Sequence, residues 1–394
     1  MTLLYLGTFG LVFSLILFGY LKPEILFLNQ TYIYTEKNRI AVSRKIAYFP
    51  FILLIGALFL CHSSFQYINM ANFARWIDGG WSNDMSRYKF AFEDSIKYSL
   101  KDFIVFQAQE PLYLFLIYFF RRITSHFSFV LLAFYMFILY STIRFLVCFV
   151  RNVSLLHVFS FFSIFYTFIL TSYCLLRMGL AVSVGLYVYE CLLKNKWKRA
   201  IFFTFIACGF HFSAIFLLFV IVLYKIYYAT KHNFKFFMFL WFCSIVLGFI
   251  AVRFSGQILG VFGKRYLAYN SSGLAKNTYL TNFFFLLLVL VKKKSFFKSA
   301  TDDVCFLSLI SVFYILILQS MLMIFYRMIF FTYPCLVILL PRLFEIFSLQ
   351  RKKYFFPLFV RVFLVFYIIY FFYKFCRTAW FSYGLFTFDL FYFY

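Results

Sequence analysis

Charged residues are scarce in this sequence: Asp, Glu, Lys and Arg make up 13% of its 394 residues, where a soluble domain carries about 25%. That deficit excludes a water-soluble globular fold. Acids are scarcest, 13 against 38 bases. There is no Gly-rich phosphate loop and no His, Cys, Asp and Glu cluster at metal-ligand spacing, which argues against a bound nucleotide, a metal or another cofactor. The nine Cys occur singly inside apolar segments with no CxxC pair, so they read as small buried apolar residues, neither disulfides nor metal ligands. No internal repeat is visible and nothing marks a second domain, so residues 1–394 are expected to form one transmembrane domain.

What is abundant is hydrocarbon. The chain is 65% hydrophobic with a mean hydropathy of +0.89, and apolar windows of roughly 20 residues recur along it, each enough to cross a core about 30 Å thick. The runs are continuous rather than alternating, so the spans are helices and not barrel strands. The expected fold is an all-α polytopic integral membrane protein with about 12–13 transmembrane helices. Met1-Thr2-Leu3-Leu4-Tyr5 lacks a basic region and a small-residue cleavage site, and is expected to open a retained first span. The net charge of +25 comes from short basic clusters between apolar spans, as in Lys194-Lys196-Lys198-Arg199, Lys292-Lys293-Lys294 and Arg351-Lys352-Lys353. Such placement is a topology signal, not a nucleic-acid surface.

The one long run that hydrocarbon cannot accommodate extends from Ser63 to Glu110. It holds six of the thirteen acids (Asp78, Asp84, Glu93, Asp94, Asp102, Glu110) beside Arg75, Arg87, Lys89, Lys97 and Lys101, a near-neutral balance unlike the basic loops elsewhere. A long loop of this kind is seldom a mere connector. With spans at 2–21 and 46–62, it falls outside the cytoplasm, as part of an extracytoplasmic loop over about residues 63–126. Residues 110–122 end in Arg121-Arg122. Letting them cross would place two bases favourably but would invert the larger clusters downstream, so they are expected to stay outside. Further spans are expected at 127–149, 153–171, 178–193, 236–252, 278–291, 303–323, 328–344 and 355–373. Residues 200–224 are expected to split into two short helices meeting at His211.

On this topology Arg177, His211 and Arg327, far apart in sequence, are all expected at the outer face with the acidic loop. An embedded Arg costs about 2.5–3.5 kcal/mol at the bilayer centre, so it is kept at an interface or a polar cavity. An Arg there also serves as a headgroup anchor, and a lone His on an apolar face as a packing residue. Convergence on one face favours a shared role: guanidinium forks match diphosphate oxygens, and loop carboxylates supply a general base.

These residues carry a family likeness. Asp84 with Tyr88 four residues on, and Arg75 upstream, resembles the acidic Asp-plus-Tyr loop of the EpsG-like and Wzy-type polysaccharide polymerases. Glu110-Pro111-Leu112-Tyr113 resembles their Glu-Pro-x-Tyr element. Arg177-Met178-Gly179-Leu180-Ala181 is similar to their Arg-Gln-x-x-Ala helix start, and Phe210-His211-Phe212-Ser213-Ala214 to their Phe-His-x-Ser-Ala turn; Arg327 ahead of Tyr333 is similar to a further Arg near the C-terminal spans. Met178 replaces the usual Gln, and Ser82 the Gly usually two residues before the loop Asp. The resemblance implies glycosyl transfer at the outer face of a bacterial inner membrane, moving a growing O-antigen, capsule or exopolysaccharide chain from undecaprenyl diphosphate onto a lipid-linked repeat unit. It implies no cofactor, a membrane-lipid environment, and a chain-length regulator and a flippase as partners. Arg75, Tyr88, Tyr113, Arg177 and Arg327 are then expected to bind diphosphate or glycan, and Asp84, Glu110 or His211 to take the acceptor proton. A transporter or flippase of lipid-linked glycan, and an O-antigen ligase or membrane acyltransferase, are the alternatives.

Overall fold

The computed structural model describes residues 84–107, 109–149, 175–230, 235–244, 246–247, 250, 253, 276–321, 323–348, 359–367 and 370. Arg75 and the spans expected at 2–21, 46–62 and 153–171 lie outside the described residues, as does much of that at 355–373. Every element among the described residues is helical. Among the described residues three helices are long and apolar enough to cross a membrane: Leu176–Leu193, Phe212–Ala229 and Ala300–Gln319. The protein is therefore a helical membrane protein. It divides into two compact units, Met1–Ser183 with Tyr367–Tyr394, and Val184–Phe366.

In the first unit the described part of the polar stretch, from Asp84 on, is helical. It contains α1 (Asp84–Asp94), a 3-10 turn (Ser95–Lys97), α2 (Leu100–Gln107) and α3 (Pro111–Ile123), followed by the long apolar α4 (Phe127–Phe149). Tyr88, Ala91 and Phe92 are buried on one face of α1 while Arg87, Phe90 and Glu93 are exposed, the three-and-four spacing of a helix with one covered side. Ser99 starts α2 with a capping box: its Oγ donates to Asp102 (2.6 Å) and accepts the Asp102 N–H (3.2 Å). Phe92 meets Phe127 (centroids 5.4 Å apart), and Tyr113 and Phe120 both meet Phe134, so α1 and α3 share a core with the start of α4.

At 13 residues, α3 is about 20 Å long, short of a core about 30 Å thick. Its buried side is Tyr113, Leu114 and Ile117; its exposed side carries Phe115, Phe119 and Ile123, again apolar. A helix oily on both sides is suited to an apolar surround rather than to water. Arg121 and Arg122 in its last turn are engaged within the unit. Arg122 donates to the carbonyls of Ser95, Tyr98 and Tyr118 (3.3–3.4 Å) and lies 3.3 Å from the Tyr118 ring centroid, and Arg121 lies 5.3 Å from that of Phe92. Arg122→Ala is expected to loosen the turn between α1 and α2. Charge-assisted bonds are worth about 1.5–3 kcal/mol each when well formed, less when long and exposed as here. Hydrogen–deuterium exchange should rise at residues 95–101 and stay unchanged in the second unit; uniform exchange across both would count against a local clamp.

Helix α5 (Leu176–Leu193) begins in the first unit and ends in the second. It stops in a Schellman turn: Asn195 adopts a left-handed φ of 52°, and the Lys196 N–H reaches the Cys191 carbonyl at 2.8 Å. That reversal feeds α6 (Trp197–Phe210). As expected, the chain breaks at His211, whose extended backbone (φ −159°, ψ 122°) separates α6 from a 3-10 turn (Phe212–Ile215) and α7 (Phe216–Ala229). After α8 (Lys235–Ser244) and α9 (Lys276–Val291), a four-residue α10 (Lys293–Phe296) leads to α11 (Ala300–Met321). Ser299 and Asp302 start α11 with the same capping box as α2. Arg342 Nε donates to Asp302 at 3.2 Å, while Tyr227 and Tyr228 donate to Asp303 at 3.0 and 3.2 Å, which accounts for these two buried carboxylates.

The span expected at 328–344 is built differently. Met323–Phe331 is a nine-residue 3-10 helix, and the α-helix, α12, runs only from Tyr333 to Ser348. Pro334 explains the break, because it has no N–H for the Phe330 carbonyl, yet suits the first turn of a new helix. The end of the 3-10 segment is seated against α5. Tyr189 donates to the Phe331 carbonyl at 2.7 Å, and a Cβ placed on Gly185 would lie 3.1 Å from the Phe331 ring and from Leu217, so a larger residue there would have to push those side chains aside.

Candidate functional site

The first unit gathers four of the expected site residues. Pro111 occupies the first position of α3, which holds Glu110 in an extended conformation (φ −62°, ψ 130°) as its N-cap. The Glu110 side chain makes no cap hydrogen bond. It instead accepts from Nη1 of Arg177, the second residue of α5 and 67 positions away. Both side chains are about four-fifths buried. Arg177 Nε also donates to the Tyr88 hydroxyl at 3.4 Å, and its guanidinium carbon lies 5.6 Å from the Tyr88 ring centroid. Tyr88 in turn packs edge-on against Tyr113 at 5.4 Å.

A cation at a helix N-terminus opposes the positive end of the helix dipole, whereas an anion there is favoured. Arg177 is thus poorly placed to stabilise α5 by itself, and the Glu110 carboxylate balances both the guanidinium and the helix end. Tyr113 is fully buried, and its hydroxyl has no hydrogen-bond partner among the described residues. Leaving such a group unsatisfied costs about 1–3 kcal/mol. Burial pushes its phenol well above the ordinary value, opposed only in part by Arg177, so the hydroxyl stays protonated and available as a donor. Gln109 Oε1, next in the chain to Glu110, is likewise buried without a partner among the described residues. Sequence reading missed Gln109, since nothing local distinguishes it from any other loop amide.

Asp84 is the first residue of α1, one turn before Tyr88. His211 and Arg327 belong to the second unit. His211 is 8% exposed, and its Nδ1 accepts the Ser213 N–H at 3.2 Å, so the imidazole caps the 3-10 turn. A neutral ring used in this way carries its proton on Nε2 and presents a donor there. The turn Phe212–Ile215 packs on the 3-10 segment that contains Arg327. Arg327 Nε is buried with no hydrogen-bond partner among the described residues. Runs of 3-10 helix longer than three or four residues are uncommon, which makes this nine-residue segment a costly way to hold an arginine.

These features define a helical membrane protein with a mostly buried arginine paired to a carboxylate beside buried phenols, and with no cluster among the described residues that could hold a metal. The sequence model of the EpsG family matches residues 67–385. The chain belongs to the EpsG family, which places it among membrane proteins of polysaccharide biosynthesis. Neither a curated protein nor a solved structure matches it.

Proposed function

We propose that the chain is a multi-pass enzyme of the bacterial inner membrane that polymerises polysaccharide repeat units at the outer face. In this reading the donor is a glycan on undecaprenyl diphosphate and the acceptor is a lipid-linked repeat unit. The acceptor hydroxyl oxygen attacks the anomeric carbon of the donor sugar. The bond from that carbon to the diphosphate oxygen breaks, its electron pair leaves with the diphosphate, and the acceptor proton passes to a carboxylate. The observation that carries this reading is Arg177, mostly buried and charge-balanced by Glu110 at the start of a membrane-capable helix. Diphosphate is a good leaving group once neutralised, and a preorganised guanidinium supplies that neutralisation. Arg327 is the second cation we assign to the same chemistry. Because His211 Nδ1 is taken by the Ser213 N–H, we assign the proton to Glu110, with Asp84 as the alternative carboxylate. Tyr88 lies against the guanidinium and Tyr113 packs on Tyr88, and both are assigned to glycan or diphosphate binding. Arg75 is assigned to glycan or diphosphate binding on the family likeness alone. A flippase would deliver the lipid-linked units and a chain-length regulator would act on the product.

The test is the cell-surface glycan of a strain lacking the gene, resolved on a gel. The expected result is loss of the long-chain ladder with single-repeat-unit glycolipid retained. Lipid-linked units trapped on the inner leaflet would identify a flippase instead, and long polymer left on its carrier would identify a ligase. Normal chains lacking acyl groups would identify an acyltransferase.

A further inference from the structure

Glu110 and Arg177 satisfy each other in a site that the proposed reaction needs for an anion. We propose that this ion pair is a resting-state lock. The carboxylate holds the guanidinium edge that a phosphate oxygen takes over when the lipid diphosphate arrives, and loading the donor thereby releases the base. This inference rests on the reading of Arg177 as the diphosphate cation.

Three observations carry it. Glu110 caps α3 through its backbone, because Pro111 fixes that conformation, and its side chain makes no cap hydrogen bond but reaches Arg177 instead. The pair is four-fifths buried, so the guanidinium edge held by the carboxylate is open to a phosphate oxygen only when that carboxylate moves off it. The Tyr113 hydroxyl, packed against Tyr88 and facing the field of Arg177 and Glu110, has no acceptor among the described residues in the resting arrangement. It is an unused donor awaiting an oxygen, and the incoming phosphate supplies one. The order of events follows from the geometry. While Glu110 is held by Arg177 it cannot take a proton from an acceptor hydroxyl, so acceptor chemistry waits until the donor diphosphate is seated. A donor without its acceptor would be exposed to water only after this exchange.

The experiment is calorimetric titration of inorganic pyrophosphate into the full-length protein in detergent. Glu110→Gln, which removes the competing charge and keeps the shape, is expected to bind at least tenfold more tightly than the wild type. Glu110→Asp, whose shorter arm weakens the lock but keeps the charge, should fall between them, and serves if the Gln variant does not fold. Tyr113→Phe should bind several-fold more weakly, and Arg177→Ala should not bind. Equal or weaker binding by Glu110→Gln and Glu110→Asp, with wild-type binding intact, would overturn the exchange and leave the diphosphate reading standing. No binding by the wild type or by either Glu110 variant would remove the diphosphate reading and the lock together.

Discussion

Cells carrying Arg177→Ala are expected to keep the protein in the membrane and to lose long-chain polysaccharide, while single-repeat-unit glycolipid remains. Removing one preorganised electrostatic donor from a site where charge develops costs about 10²–10³ in rate. A polymerisation rate lowered that far collapses the ladder. The complication is structural. The Glu110 carboxylate, four-fifths buried, would be left without the guanidinium it accepts from. Breaking a fully buried pair from one side costs about 3–5 kcal/mol, and the residual exposure here lowers that figure. A second variant separates the two effects. Arg177→Ala with Glu110→Gln has no unpaired carboxylate, so its thermal midpoint in detergent should recover towards the wild type while polymer stays absent. Arg177→Lys keeps the charge and loses the fork, and should make short chains. Normal chain lengths from Arg177→Ala would reduce Arg177 to a structural partner of Glu110.

The parts of this fold that were legible beforehand are those with a local cause. A helix that must end before His211 and restart after it follows from too many apolar residues for one straight span with a polar ring in the middle, and the extended backbone at His211 is that break. Pro111 at the head of an apolar run marks a helix start, and α3 begins there. The bond between Glu110 and Arg177 was not legible. Both residues were candidates, one as a base and the other as a phosphate ligand, but no periodicity links positions 67 residues apart, so neither charge announced the other. The 3-10 conformation of Met323–Phe331 was hidden for a different reason: its composition is that of any apolar helix, and only Pro334 hints that the backbone cannot continue. The use made of Arg121 and Arg122 was equally hidden, because their acceptors are backbone carbonyls, which every sequence possesses.

Arg327 provides the sharper contrast between stability and function. A residue kept for folding should cost stability when removed, but Arg327 holds a buried Nε with no partner among the described residues, on a 3-10 segment longer than such helices usually run. A buried polar group of this kind opposes folding. Arg327→Met retains an apolar stem of similar length and removes the cation. It is expected to leave the thermal midpoint unchanged or raised, and to abolish long-chain polymer as fully as Arg177→Ala. Residues that weaken the fold are retained where activity requires them, so this opposite movement of stability and activity is the signature of a functional cation. Arg327→Lys should not restore full-length chains, because a point charge lacks the planar fork. The combined Arg177→Ala and Arg327→Met variant tests whether both act on one departing diphosphate. Groups that work as a unit are far from additive, so a residual polymerisation rate for the pair no lower than that of either single variant would mean a shared step. A rate lower by the product of the two single losses would mean that the arginines act on separate steps. A fall of several degrees in the midpoint of Arg327→Met with chain length intact would make Arg327 a packing residue and leave Arg177 as the sole cation of the reaction.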